Sequence, residues 1–248
     1  MVKGLSYFKE HFADYSDQYV LIGGTACSLV MEDVGLDFRA TKDLDIVLYI
    51  EALDAGFASS FWKFIRLGKY QHRQRSTDKE IFCRFSGPKI REFPAMLELF
   101  SRVPDCLKIV EGSHLTPIPI HESITSLSAI LLDNTYYQFI HDGKQSISGL
   151  PVVSASHLIP LKARAWIDLI GRKDANERDI RKHKNDIMRL CQLLTPSDKI
   201  TLPQPIKQDM QQFLNRVQKE SFIDLKSLGI KNINLDDLFA TLRQIYDV

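Results

Sequence analysis

Asp43 and Asp45 stand one residue apart in the run Asp43-Leu44-Asp45-Ile46-Val47-Leu48. If that run is extended, successive side chains alternate, so the two carboxylates share one face while Leu44, Ile46 and Leu48 point into a core. Two neighbouring carboxylates on an otherwise apolar strand repel each other unless a positive charge sits between them. A hard divalent cation with oxygen ligands, Mg²⁺ above all, is the simplest such charge. Upstream, Gly23-Gly24-Thr25-Ala26 follows a short apolar run and opens a stretch of helix formers. A turn of that kind offers backbone N–H groups at a helix N-terminus together with a hydroxyl, a combination that suits a triphosphate. Taken singly, each feature has a plainer reading, because an Asp-x-Asp is usually a solvated strand end and a Gly-Gly pair is usually only a turn.

Their order gives them a joint meaning. Gly-Gly-x-Ala, a helix, and then Arg39-x-Thr41-x-Asp43-Leu44-Asp45 resembles the nucleotidyltransferase superfamily of the polymerase-β fold. Within it, the pattern is most similar to the AbiEii branch, the toxin component of bacterial toxin–antitoxin and phage-abortive systems. The stretch between Thr25 and Asp43 is longer than the superfamily's minimal spacing and resembles the longer form of that branch. The resemblance implies an α/β (α+β) fold, a nucleotidyltransferase core with a mixed sheet followed by a C-terminal helical bundle. It also implies two Mg²⁺ ions, or Mn²⁺ in their place, held by the Asp pair and a third carboxylate. Those ions would bind the phosphates of an NTP and activate an acceptor hydroxyl.

The third carboxylate is expected on a later core strand, and Glu98 in Ala95-Met96-Leu97-Glu98-Leu99-Phe100-Ser101-Arg102 is the candidate. An acid in the middle of an apolar strand needs a partner or a metal; on an edge strand it would simply face water. A second signature lies in the back half. Lys162 in Leu161-Lys162-Ala163-Arg164-Ala165-Trp166, followed by Asp179 and Asp186 seven residues apart, resembles the branch's later motif. On a helix Asp179, Lys182 and Asp186 share one face. An ammonium beside Trp166 needs an anion, which a nucleotide phosphate would supply; the plainer reading of the second helix is a solvated charged face. The resemblance thus marks Asp43, Asp45, Glu98, Lys162, Asp179 and Asp186 as catalytic. It marks Gly23, Gly24, Thr25, Arg39, Thr41, Lys162 and Lys182 as nucleotide-binding, and Asp43, Asp45 and Glu98 as metal ligands.

The elements that must position these groups follow from periodicity. Tyr19 to Ile22, Leu44 to Ile50, Ile81 to Phe85 and Ala95 to Phe100 read as strands, and Thr25 to about Val34 and Ala52 to Leu67 as helices, the latter closed by Gly68. Tyr136 to His141 and Ser146 to Val153, joined through Asp142-Gly143, read as a hairpin. From Ser154 the period turns helical. Leu158, Leu161, Ala165 and Leu169 form one stripe, whose start is blurred by Pro160, and Ile180, Ile187, Cys191 and Leu194 another. Stretches at 206–219 and 234–246 are further amphipathic helices. The expected division is therefore residues 1–153 as the nucleotidyltransferase core and 154–248 as a helical domain.

Composition narrows the class further. The 248 residues are 44% hydrophobic and 25% charged, an ordinary globular balance that excludes a disordered or fibrous chain. With 32 Lys and Arg against 31 Asp and Glu, net charge indicates no partner. No run approaches the length of a membrane span, and the N-terminus lacks a signal-peptide core, so a cytoplasmic protein with no membrane contact is expected. The four cysteines are scattered and the seven histidines show no metal-ligand spacing, which fits a reduced compartment. Cys106 with a distant His is a weak nucleophile candidate, and His183 borders an apolar stripe as a packing residue. Two segments are locally basic. Residues 63–75 carry Lys63, Arg66, Lys69, Arg73 and Arg75 interleaved with Phe64 and Tyr70, and residues 162–189 carry nine basic against five acidic residues. They read either as a nucleic-acid footprint or as exposed helix faces.

The leading expectation is a Mg²⁺-dependent transfer of NMP from an NTP to an acceptor, for which the resemblance implies tRNA, with a cognate antitoxin as a protein partner. The alternatives are a small-molecule, antibiotic-modifying nucleotidyltransferase and an inactive nucleotide- or RNA-binding module.

Overall fold

A computed structural model describes the chain except residues 1, 50, 51, 53, 78, 79, 102–132, 220–222 and 232, and describes side chains outside 72–83. Its contacts divide the chain into two units, Met1–His121 with Lys144–Val153, and Glu122–Gly143 with Ser154–Val248. The fold is α/β, built on a mixed sheet. Cys106 lies outside the described residues.

In the first unit, helix α1 (Leu5–His11) leads into strand β1 (Tyr19–Ile22), helix α2 (Gly23–Glu32), strand β2 (Asp43–Leu48) and helix α3 (Ala55–Gly68). Strands β3 (Gln71–Thr77), β4 (Glu80–Ser86) and β5 (Met96–Ser101) follow. The order across the seven-stranded sheet is β3-β4-β5-β2-β1-β7-β6, where β6 and β7 are Lys144–Ile147 and Leu150–Val153. β2 runs antiparallel to β1 and parallel to β5, and β1 runs parallel to β7. The order of strands in space therefore departs from their order in sequence around β2, where crossovers bring remote residues side by side.

Alternation divides the sheet's faces. Leu44, Ile46 and Leu48 of β2, Leu97 and Leu99 of β5, and Tyr19 and Leu21 of β1 are all 2% exposed or less. Phe8, Phe12, Phe57, Phe61 and Phe64 are equally buried, and rings such as Phe8 and Phe12 meet at 4.6 Å between centroids. Phe8 and Phe57 in turn touch Tyr19 of β1. Helices α1 and α3 thus seal one face with aromatic side chains. Helix α3 begins three residues later than its composition indicates, because Asp54 caps it by accepting from Phe57 N–H at 2.7 Å.

The expected hairpin through Asp142-Gly143 is corrected. Residues Asn134–Asp142 form helix α4, assigned to the second unit, and the hairpin is β6–β7 turning through Ser148 (φ 49°) and Gly149 (φ 78°). Asp133 caps α4 by accepting from Thr135 N–H at 2.7 Å, and Tyr136, Tyr137, Phe139 and Ile140 are buried. Aromatic residues favour strands, but the spacing of Tyr136, Phe139 and Ile140 is that of one helical face.

The second unit continues with helices α5 (Ala155–Ile170), α6 (Glu177–Leu190), α7 (Gln204–Val217) and α8 (Leu235–Tyr246). Pro160 lies inside α5 rather than at its start. Proline has no N–H to give the carbonyl four residues back. That carbonyl, Ser156 O, accepts instead from the Tyr246 hydroxyl at 2.7 Å. Among the described residues no helix is long and apolar enough to cross a membrane.

Candidate active site

Asp43 and Asp45 lie on the sheet face opposite the aromatic core, half-exposed on a strand whose intervening Leu44 is fully buried. Along this face the character changes. Val20, Val47 and Phe100 are buried at one end, and the carboxylates stand at the other. The parallel pairing of β2 with β5 sets Asp45 directly across from Glu98, and Asp43 across from Met96. Register partners point to the same side, so all three expected carboxylates share one face. Adjacent strands lie about 4.8 Å apart, which puts the backbones of Asp45 and Glu98 within reach of a common ligand.

The Gly23-Gly24-Thr25 turn packs against this row. Gly23 takes φ 67°, a conformation that side chains disfavour, and a methyl group in place of its hydrogen would overlap Asp45 Oδ2. At Gly24 an added methyl would lie 2.7 Å from Thr41 Oγ1 and 3.4 Å from an Arg39 guanidinium nitrogen. Five of the residues singled out by sequence, Gly23, Gly24, Arg39, Thr41 and Asp45, therefore meet in one place. Thr25 plays a different part from the phosphate ligand anticipated. It is fully buried, and its hydroxyl donates to the Asp43 carbonyl at 2.6 Å, tying α2 to the start of β2. Helix α2 has Ile22 at its N-cap, with no side-chain cap and no acid in its first turn. Its positive end therefore opens beside the Asp45 carboxylate, which packs against Gly23. Arg39 lies over the Phe38 ring, its guanidinium carbon 5.2 Å from the centroid.

Glu98 already has a cation. Arg84, its antiparallel partner on β4, donates from Nε to Oε1 at 2.7 Å, and a second guanidinium nitrogen also contacts Oε1. Sequence gave no sign of Arg84, because only the β4–β5 register brings it beside Glu98. Among the described residues, no three carboxylate, imidazole or thiol groups are gathered as a metal cage. The donor set still fits Mg²⁺, which binds through one or two carboxylates and completes its shell with water and substrate phosphates. Asp43 and Asp45 are such a pair.

The back-half residues form a separate arrangement within the second unit. Lys162 is 5% exposed and donates to Asp186 Oδ2 at 2.8 Å; Asp186 is itself fully buried, with an Arg189 nitrogen 3.8 Å away. The anion that Lys162 requires is therefore a protein carboxylate, not the phosphate expected, and the pair joins α5 to α6. Asp179 and Lys182 are partly exposed on α6. The basic segments are likewise less uniform than they read. Lys63, Arg66 and Lys69 are exposed, but Phe64 and Tyr70 belong to the core, and Arg164 is paired with Asp168 and Asp209.

No protein-family model matches this sequence, and no curated protein matches it. Among solved structures, an antigenic nucleotidyltransferase-like protein from Paracoccidioides brasiliensis is similar over 96% of this chain and 99% of its own, at 17% identity and a TM-score of 0.49. The Megavirus polyadenylate synthase aligns over 88% of this chain and 36% of its own, at 13% identity and a TM-score of 0.40. The nucleotidyltransferase toxin MenT4 from Mycobacterium tuberculosis aligns over 98% of this chain and 81% of its own, at 16% identity and a TM-score of 0.31.

Proposed function

We propose that this protein is a nucleotidyltransferase that moves a nucleoside monophosphate from an NTP to an acceptor hydroxyl. The observation that carries the reading is the packing of the Gly23-Gly24 turn on Asp45, which sets an uncapped helix N-terminus beside two same-face carboxylates. That arrangement joins an anion site to a cation site, the pairing that a metal–nucleotide complex requires. Asp43 and Asp45 would hold Mg²⁺, or Mn²⁺ in its place, and Glu98 across the β2–β5 register is the third candidate ligand. Bound metal would neutralise phosphate charge and lower the pKa of the acceptor hydroxyl. The N–H groups at the start of α2 and the Arg39 guanidinium would orient the triphosphate. The acceptor oxygen then forms a bond to the α-phosphorus as the bond to the β-phosphate oxygen breaks, releasing pyrophosphate.

The likeness of the Gly-Gly and Asp-x-Asp motifs to the AbiEii branch supports tRNA as acceptor and a toxin role with an antitoxin partner. The exposed Lys63, Arg66 and Lys69 would add the non-specific attraction that a polyanionic acceptor needs. We assign Lys162 and Asp186 to the structure of the helical unit, because both are buried against each other. The test is direct: purified protein is incubated with Mg²⁺, each α-labelled NTP in turn, and total tRNA. Label entering the tRNA band with one NTP supports the reading, and label entering a small molecule instead redirects it to the antibiotic-modifying class. No label in any fraction counts against transfer.

A further inference from the structure

Asp45, Glu98 and Arg84 stand in one row across three neighbouring strands, each the register partner of the next. The row alternates in an informative way. Two carboxylates lie side by side, and the cation that relieves Glu98 sits on its far side, on the strand away from Asp45. Nε and a second guanidinium nitrogen of Arg84 both contact Oε1 of Glu98. The Glu98 side chain is 12% exposed and that of Arg84 is 29% exposed, so the arginine can reach solvent whereas the carboxylate is largely enclosed. A half-exposed guanidinium with five donors is also the side chain best suited to a phosphate.

Building on the proposed nucleotide site, we infer that Arg84 is an exchangeable counter-ion that couples metal binding to nucleotide binding. Without nucleotide, Arg84 neutralises Glu98, so a divalent cation meets only the Asp pair and must compete with the guanidinium for the third carboxylate. An arriving triphosphate offers Arg84 a better anion, frees Glu98 for the cation, and makes each ligand raise the other's affinity by the same factor. Arg84 is thus a positioning residue whose effect runs through Glu98.

The test uses Mn²⁺ as the metal probe, followed by electron paramagnetic resonance, with and without a non-hydrolysable NTP analogue. Arg84→Gln should bind Mn²⁺ alone about fivefold or more tightly than the natural protein, while the enhancement produced by the analogue shrinks by a similar factor. Arg84→Lys, which keeps the charge, should stay close to the natural protein. Adding Glu98→Gln to Arg84→Gln should erase the gain, and that double variant also guards against misfolding because Glu98 is no longer left charged without Arg84. Unchanged or weaker Mn²⁺ binding in Arg84→Gln, with the analogue's enhancement intact, would overturn the coupling while leaving the nucleotide site standing. Mn²⁺ binding that survives Asp43→Asn with Asp45→Asn would instead remove the site itself, and the coupling with it.

Discussion

Gly23 and Asp45 occupy one another's space so closely that glycine is the only residue whose side chain avoids the carboxylate. The contact links the first residue of one motif to the second acid of the other, and it makes the helix N-terminus and the acidic strand a single device. Gly23→Ala should therefore cost about 1–3 kcal/mol through its φ of 67° alone. It should also push Asp45 out of place and abolish the stabilisation produced by Mg²⁺ with NTP. Gly24→Ala, whose backbone is unstrained and whose nearest neighbour is the Thr41 hydroxyl at 2.7 Å, should lose less on both counts. Thermal melts with and without ligand separate the two effects.

Thr25 holds α2 to β2 through its hydroxyl at 2.6 Å from the Asp43 carbonyl. Thr25→Val keeps the shape but removes a part-buried hydrogen bond, at about 0.5–1.5 kcal/mol. Thr25→Ser should recover much of that. If Thr25 touched nucleotide instead, Thr25→Val would change NTP affinity without lowering stability, which chemical denaturation and binding measured together would reveal.

The Lys162–Asp186 pair yields a prediction about stability, not about nucleotide binding. Lys162→Ala strands a fully buried carboxylate and should destabilise by about 3–5 kcal/mol. Lys162→Met with Asp186→Leu should restore most of the loss, because no fully buried charge then remains and Arg189, which gives up its contact with Asp186, is partly exposed. Denaturant titrations of the single and double variants form the cycle that checks this.

His157 should give the second unit a pH dependence. Burial lowers its pKa, against a smaller opposing pull from Asp142. A histidine depressed in the folded state binds fewer protons there than when unfolded, so its contribution is complete above the ordinary value of about 6.5 and is lost as the pH falls below it. Its Nδ1 lies 2.9 Å from Ser154 Oγ, and its ring packs on Phe139. His157→Asn should flatten the fall in melting temperature between about pH 7 and pH 5; an identical slope in both proteins would assign the effect to other groups.

Much of the site was legible because its residues are consecutive. Asp43 and Asp45 declare a shared face by spacing alone, and the glycine turn declares a helix start. What sequence could not show depends on register and on long-range pairing. Arg84 is an unremarkable basic residue until β4 lies beside β5, and Lys162 finds Asp186 only when α5 packs on α6. The helix at Asn134–Asp142 was misread because its aromatic residues carry strand propensity, whereas tertiary burial of Tyr136, Phe139 and Ile140 decides in favour of the helix. Composition likewise does not say which residues of 63–75 face inward: Phe64 on α3 and Tyr70 just after it join the core.

The central claim is that Asp43 and Asp45 hold the metal–nucleotide complex, and a ligand-dependent melt tests it most directly. Asp43→Asn with Asp45→Asn preserves the shape of the strand while removing two like charges, so the ligand-free variant should melt at or slightly above the natural protein. At Mg²⁺–NTP concentrations about 100 times the dissociation constant, the natural protein should gain roughly 2.7 kcal/mol of stability. The double variant should gain none. An equal gain in both proteins would place the metal–nucleotide site elsewhere and contradict the account.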